Sequence, residues 1–324
     1  MYCLTPFKNS KGQLHGCGGC RFCRVKARVR KAARIMLESF GWNDISFGTL
    51  TYNDENLPFQ NSLCIEHHTL FMKAFRERLD ARIRFVAVGE YGDSGSRGLN
   101  PHYHYIWYGY APCTLPHMKP FYAKKGLQCP CPQCSLVADV WKKGNCTVDS
   151  FNGPRANYIA GYTVKKLTKK DDRRLEYLTP DGYIAYREPE FYRASNRPYG
   201  IGANAVEEIA LALQTPSGQA FIESTGDIPL KLKQNGRDII LDRYIRRKIR
   251  EHLGWTETGA QPGWEQKQKE SLFDLYSKYG ITKEDLKDRT WDSKFFLTVV
   301  SDEKNKLDLI KEGEINYSKK GKKL

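Results

Sequence analysis

IRFVAVGE, residues 83–90, and HYHYIWY, residues 102–108, are rich in β-branched and aromatic residues, and the second alternates polar with apolar. Both read as strands. Residues 92–100 between them carry three glycines and two serines, a short loop that makes the strands antiparallel neighbours. Side chains two apart on a strand share a face. His102 and His104 therefore point one way, and Tyr103 and Tyr105 point the other way, toward the core. Glu90 ends the first strand just before the chain returns to His102, so a hairpin brings this carboxylate beside the imidazoles. Two imidazoles and a carboxylate, with positions left for water and a phosphate oxygen, suit Mg²⁺ or Mn²⁺.

Working outward, residues 45–52 alternate and read as a strand, ended by Asn53-Asp54. Apolar residues at a helical period predict helices over 21–40 and 65–79. Residues 145–151 read as a short strand, and Pro154 opens a helix running to about Lys166. Residues 111–135, rich in Pro and Cys without periodicity, read as an inserted loop or metal knuckle. Helices are expected over 205–213 and 237–253, and the Lys/Gly-rich end, 316–324, reads as a frayed tail. The expected fold class is α+β, an antiparallel central sheet with flanking helices. Composition shifts near residue 205. The expected domains are 1–205, with Cys-rich segments at 1–23 and 111–146, and a helical accessory region over 206–324.

The 324 residues carry a net charge of +15, which favours a polyanionic partner. Hydrophobic residues make up 40% of the chain, enough for a packed core and against wholesale disorder. No stretch approaches the roughly 18 apolar residues of a membrane span. Residues 1–12 lack the apolar core of a signal peptide, so the protein is expected to stay where it is made. In a reducing cytoplasm its ten cysteines should not form disulfides, and their clustering calls for metal. Cys17, Cys20 and Cys23 form C-x₂-C-x₂-C, with Cys3 as a fourth thiolate for a structural Zn²⁺. Cys129, Cys131 and Cys134 form a second cluster, with Cys113, Cys146 or His117 as the fourth ligand. One or two structural zinc ions are expected. Cys64 reads as a buried apolar residue.

Tyr158 and Tyr162, four apart, share a face of the helix that begins near Pro154. Lys165, Lys166, Lys169 and Lys170 follow, and Lys165 stands one turn beyond Tyr162. A cation beside a phenol lowers its pKa and stabilises phosphate charge. Tyrosine attack on phosphate gives a phosphotyrosine, and two tyrosines allow two successive transfers. Arg24, Lys26, Arg28, Arg30, Lys31 and Arg34 give one helix a positive face. Arg243, Arg246, Arg247, Lys248 and Arg250 do the same later. Such residues, with Lys166, Lys169 and Lys170, suit salt-dependent phosphate contacts.

The His-x-His strand followed by a tyrosine helix resembles the HUH endonuclease superfamily. Within it the chain resembles the replication initiators of microviruses, small single-stranded-DNA bacteriophages, and especially their gokushovirus branch. GTLTYND (48–54), VGEYG (88–92) with NPHYHYIW (100–107), and NYIAGYTVKK (157–166) resemble three successive motifs. CGGCRFC (17–23) resembles the Cys-rich start, and RPYGIG (197–202) a later Pro-Gly motif. The resemblance spans about residues 1–205. It implies an HUH nickase fold, His102 and His104 as ligands with Glu90 third, and Tyr158 and Tyr162 as nucleophile candidates. It implies rolling-circle initiation by nicking and rejoining a single DNA strand at an origin, through a 5′-phosphotyrosine and a free 3′-hydroxyl. The setting it implies is the bacterial host cytoplasm. Gly161 stands where relatives often carry Lys. The sequence holds no G-x-x-x-x-G-K-[ST], so a separate host helicase is expected, with a host polymerase. The alternative reading is a non-catalytic, zinc-containing nucleic-acid-binding protein.

Overall fold

The computed structural model describes residues 3, 6–8, 10, 14–79, 81–92, 99–162, 173–234 and 236–255. These divide into two compact units, 27–211 with 230–252, and 3–26 with 212–229 and 253–255.

The larger unit is built on a five-stranded antiparallel sheet. In chain order its elements include β3 (Ile45–Thr51), α2 (Ile65–Arg78), β4 (Arg84–Gly92), β5 (Asn100–Tyr108), α3 (Lys119–Lys124), α4 (Pro132–Trp141), β6 (Cys146–Ser150) and α5 (Gly153–Tyr162). A small hairpin, β7 (Glu176–Leu178) and β8 (Ile184–Tyr186), precedes β9 (Phe191–Ala194). The sheet order is β6-β3-β5-β4-β9, so the histidine strand is central. The expected α+β class and the antiparallel pairing of β4 with β5 are borne out. The smaller unit holds the two-residue strands β1 (Phe7–Lys8) and β2 (Leu14–His15), and α7 (Pro216–Thr225). Two helices cross the division: α1 (Arg21–Glu38) and α6 (Val206–Gln214).

Alternation sorts the sheet residues between two cores. Tyr103, Tyr105 and Trp107 pack with Leu50, Phe71, Phe75 and Trp141 on one face. That face receives α2, whose buried His68, Phe71, Met72 and Phe75 fall at i, i+3, i+4 and i+7. The other face presents Phe47, Val86, Val88, Ile106 and Tyr108 to Ala32 and Ile35 of α1 and to Ala156, Ile159 and Ala160 of α5. With both faces covered, β4 and β5 are buried along nearly their whole length. Crowding explains Gly48: a Cβ there would run into the Trp107 ring.

A buried ion pair fixes the start of β4. Arg84 Nε donates to Glu38 Oε1 at 2.5 Å, and its two Nη groups donate to the carbonyls of Arg197 and Tyr199. Glu38 Oε2 accepts from Gly202 N, so all these groups are satisfied. The RPYGIG motif thus closes a structural network at the end of α1.

Two sequence expectations are corrected. Residues 111–135 contain regular structure: α3, and the start of α4 at Cys131, which caps the helix by accepting from Cys134 N. Residues 237–253 are not one helix. β10 (Lys231–Gln234) and β11 (Arg237–Ile240) form a hairpin, and α8 (Arg243–His252) starts only after Asp242, whose Oδ1 accepts from Ile245 N. The Asn235-Gly236 pair is a hairpin turn signal, and Asp242 is an N-cap; together they outweigh the helical period. Arg250 also departs from the expected positive face, since it is buried. Cys64 is only half-buried.

Candidate metal centre and tyrosine pair

Strand register builds the centre. Glu90 lies directly opposite His102, and Val88 opposite His104, so Glu90 and both histidines share a face. His102 Nε2 and His104 Nε2 approach the same carboxylate oxygen, Glu90 Oε1, at 2.8 and 3.0 Å. The ring centroids of the histidines are 4.9 Å apart. Glu90 and His104 are buried, and His102 is partly exposed, so the centre opens on the His102 side.

The opposite ring nitrogens are occupied. His102 Nδ1 lies 2.9 Å from the Asn100 carbonyl, which can only accept, so Nδ1 carries the proton. His104 Nδ1 lies 3.0 Å from Thr49 Oγ1, the residue paired with it across β3 and β5. Such partners orient a ligating imidazole and leave its Nε2 lone pair for the metal. Two ring nitrogens crowding one carboxylate oxygen is a donor set that asks for a shared cation. Cis ligands around Mg²⁺ or Mn²⁺, at about 2.1 Å from the ion, stand roughly 3.0 Å apart, close to the spacing observed. Glu90, His102 and His104 can therefore hold such an ion.

Helix α5 brings the tyrosines over this centre. Tyr158 Oη lies 3.4 Å from His104 Nε2, and its side chain is 47% exposed. Tyr162 is buried, its ring stacked on His104 at 5.6 Å and 14°. The two tyrosine rings meet edge to face at 4.8 Å. Tyr162 is hydrogen-bonded to Tyr158 and Glu90; burial first, then these partners, push its pKa up. Phe47 lines the centre from β3, stacked on His104 and edge-on to Tyr158. Sequence reading missed Thr49, Asn100 and Phe47. Thr49 and Phe47 were signalled by alternation within 45–52, but only the register shows which residues they meet.

The cysteines gather in two sets of four. Cys113, Cys129, Cys131 and Cys134 are all buried, with their sulfurs within 4.8 Å of one another. The Cys113 sulfur is 3.7 Å from that of Cys129 and 3.4 Å from that of Cys131. Tetrahedral zinc with bonds of about 2.3 Å sets sulfurs roughly 3.8 Å apart, so the geometry fits. Cys113 takes the fourth place, ahead of Cys146 and His117. In the smaller unit Cys3, Cys17, Cys20 and Cys23 converge likewise, and backbone N–H groups of Cys17 and Cys20 donate to the sulfurs of Cys3 and Cys17. Both sets can hold a metal ion.

Among the basic residues, Lys26 and Arg28 on α1 are exposed and Arg24 is half-buried. Arg28 lies beside the tyrosine helix, its guanidinium 3.7 Å from where a Gly161 Cβ would stand. Lys165, Lys166, Lys169 and Lys170 lie outside the described residues.

An antiparallel sheet that carries a His-His-Glu set under a tyrosine helix is the part of the chain that has relatives. Residues 45–171 match the family model of the replication-associated protein ORF2. The chain is similar to replication-associated protein VP4 of Bdellovibrio phage phiMH2K, 31% identical over 203 residues, covering 55% of this chain and 62% of that one. It is similar to replication-associated protein ORF2 of Spiroplasma virus 4, 33% identical over 181 residues, covering 51% and 52%. It is also 29% identical to replication-associated protein ORF4 of Chlamydia phage 1 over 155 residues, covering 47% and 38%. The chain thus spans between about two fifths and three fifths of these relatives. No solved structure matches it. The resemblance to phage replication-associated proteins is borne out.

Proposed function

We propose that the protein initiates rolling-circle replication by metal-dependent nicking and rejoining of a single DNA strand. The supporting observation is the Tyr158 hydroxyl beside His104 Nε2, on the open side of the Glu90-His102-His104 set. Similarity to phage replication-associated proteins supplies the biological setting. Mg²⁺ or Mn²⁺, held by those three residues, would polarise the scissile phosphate and neutralise developing charge. Tyr158, the exposed tyrosine, is the first nucleophile. Its oxygen bonds to phosphorus, the P–O3′ bond breaks, and the phenol's proton is in balance taken up by the departing 3′ oxygen. The products are a 5′-phosphotyrosine and a 3′-hydroxyl primer. Rejoining is the reverse exchange. Tyr162, buried and bonded to Glu90, orients the carboxylate and Tyr158 in the first cut and is the candidate for the second transfer. Lys165, Lys166, Lys169 and Lys170, with Arg24, Lys26 and Arg28, bind the DNA backbone. The cysteine sets bind structural Zn²⁺. Single-stranded origin DNA is the substrate, unwinding and synthesis fall to a host helicase and polymerase, and the setting is the bacterial cytoplasm.

The test is a denaturing gel of the protein incubated with origin-derived oligonucleotides and Mn²⁺. A covalent protein–DNA band is expected, lost in Tyr158→Phe and in the His102→Ala, His104→Ala double variant, and retained in Tyr162→Phe. No band with any candidate origin would overturn the nickase and favour a non-catalytic zinc-containing DNA-binding protein. A band that survives loss of both histidines would overturn the metal assignment.

A further inference from the structure

We propose that Arg155 is a phosphate-binding residue for the DNA strand, held in place by the cysteine-rich insertion through Lys119 and Asp149. The proposal rests on the nickase reading and adds a contact and its support.

Arg155 lies three residues before Tyr158 and seven before Tyr162, on the same face of α5. Its guanidinium sits 5.2 Å from the Phe47 ring centroid, and Phe47 stacks on His104 at 5.6 Å. The cation is thus two stacked groups from the metal ligands, on the tyrosine side. Arg155 Nη1 donates to the Ser150 carbonyl, and Nη2 lies 3.6 Å from Asp149 Oδ2. Among the described residues its Nε donates to nothing, and 30% of the side chain is exposed. Arg155 also occupies the first turn of α5, where the helix dipole disfavours a cation and no acidic residue offsets it. A cation kept against the local rule, half-satisfied and facing the open side of a phosphate-cleaving centre, is explained by a polyanion that arrives later.

The insertion reaches this residue around the sheet edge. Edge strand β6 carries Asp149, directly opposite Phe47. Lys119, from the segment between Cys113 and Cys129, donates to the Val148 carbonyl at 2.8 Å and to Asp149. Asp149 is therefore shared between Lys119 and Arg155. Lys119 draws part of the carboxylate's charge, which keeps Arg155 from pairing with it completely. Lys119 is thus a positioning residue, acting on DNA through Asp149 and Arg155.

Fluorescence anisotropy of the full chain with a labelled single-stranded oligonucleotide of roughly 20 mixed-sequence nucleotides, longer than one site, tests this. Without added Mg²⁺ or Mn²⁺ it reads binding apart from cleavage. Arg155→Ala is expected to weaken binding about tenfold and to flatten the salt dependence of affinity by about 0.7 in log–log slope. Arg155→Lys keeps the slope. Lys119→Met weakens binding in the unmodified chain and adds nothing in Arg155→Ala. Unchanged affinity and slope in Arg155→Ala, with a lowered melting temperature, would mean that Arg155 only ties α5 to β6. Additive effects of Lys119→Met and Arg155→Ala would remove the insertion's part. Arg155-dependent binding with no covalent adduct in the gel would remove the nickase and leave the phosphate contact standing.

Discussion

Thr49 and His68 show how single side chains set behaviour at a distance from the chemistry. Thr49 touches no substrate, yet its hydroxyl fixes His104 Nδ1. Thr49→Val is expected to lower Mn²⁺ affinity about 10- to 100-fold with the fold intact, as loss of an outer partner does for metal-bound histidines. Isothermal titration with Mn²⁺ measures it; an unchanged affinity would show that Thr49 does not orient the ligand. His68 lies under the opposite face, bonded to the Tyr105 hydroxyl. Burial, with Arg193 and Arg76 adding to it, lowers its pKa to about 4. The unfolded chain, with an ordinary histidine near 6.5, binds that proton first. This contribution to stability is full above about pH 6.5 and is lost as pH falls toward 4, in total about 3 kcal/mol. His68→Gln, which keeps a partner for Tyr105, should flatten urea-midpoint loss between pH 7 and pH 5 relative to the unmodified chain. Equal losses in both would place the acid sensitivity elsewhere.

At the scale of elements, the strands whose pattern is local were legible. The runs 83–90, 102–108 and 45–52 each correspond to a strand, and both histidines were readable as one face because a period of two needs no partner to be seen. β9 was not legible: Phe191–Ala194 is four residues long and becomes a strand by pairing with Val86–Gly89. α4 was hidden because its cap is a cysteine, a residue read first as a metal ligand. The centre shows the same division. Ligands and tyrosines could be read from residue type and spacing, whereas Thr49, Asn100 and Phe47 depend on register between strands far apart in sequence. Gly48 belongs to this scale too. Gly48→Ala would drive a methyl group into Trp107, between the two strands that frame the centre. It is expected to cost about 1–3 kcal/mol, read as a lower urea midpoint, since overpacking of a filled core costs that much. A neutral result would mean that Trp107 can move aside.

At the scale of the molecule, two cysteine sets do work that core packing does elsewhere. The buried set joins the segment 113–134 to one face of the sheet. Zinc bound to four thiolates contributes directly to folding. Cys131→Ser should release one zinc equivalent and lower the melting temperature by on the order of 10 °C, from a loss of several kcal/mol in a chain of this size. Zinc analysis together with calorimetry decides it; full thermal stability without zinc would leave the thiols as ordinary packing. Cys3→Ser should release a second equivalent independently, because the two sets lie in different compact units.

The central position of β5 has a consequence for how such a protein can vary. Both ligating histidines lie on the one strand with sheet neighbours on each side, and both partners fix the same register. A one-residue slip would send Tyr103 and Tyr105 to the metal face and both histidines into the aromatic core. Pairing holds as far as Gly92 and Asn100, so the connection between them is bounded at both ends by ladder contacts. Insertions and deletions accumulate there without moving a ligand, whereas a single added residue inside 100–108 removes the whole centre at once. Lineages carrying this sheet are therefore free to change what surrounds the cut strand of DNA by exchanging that connection, while the cutting chemistry stays in a part of the chain that tolerates no change of length.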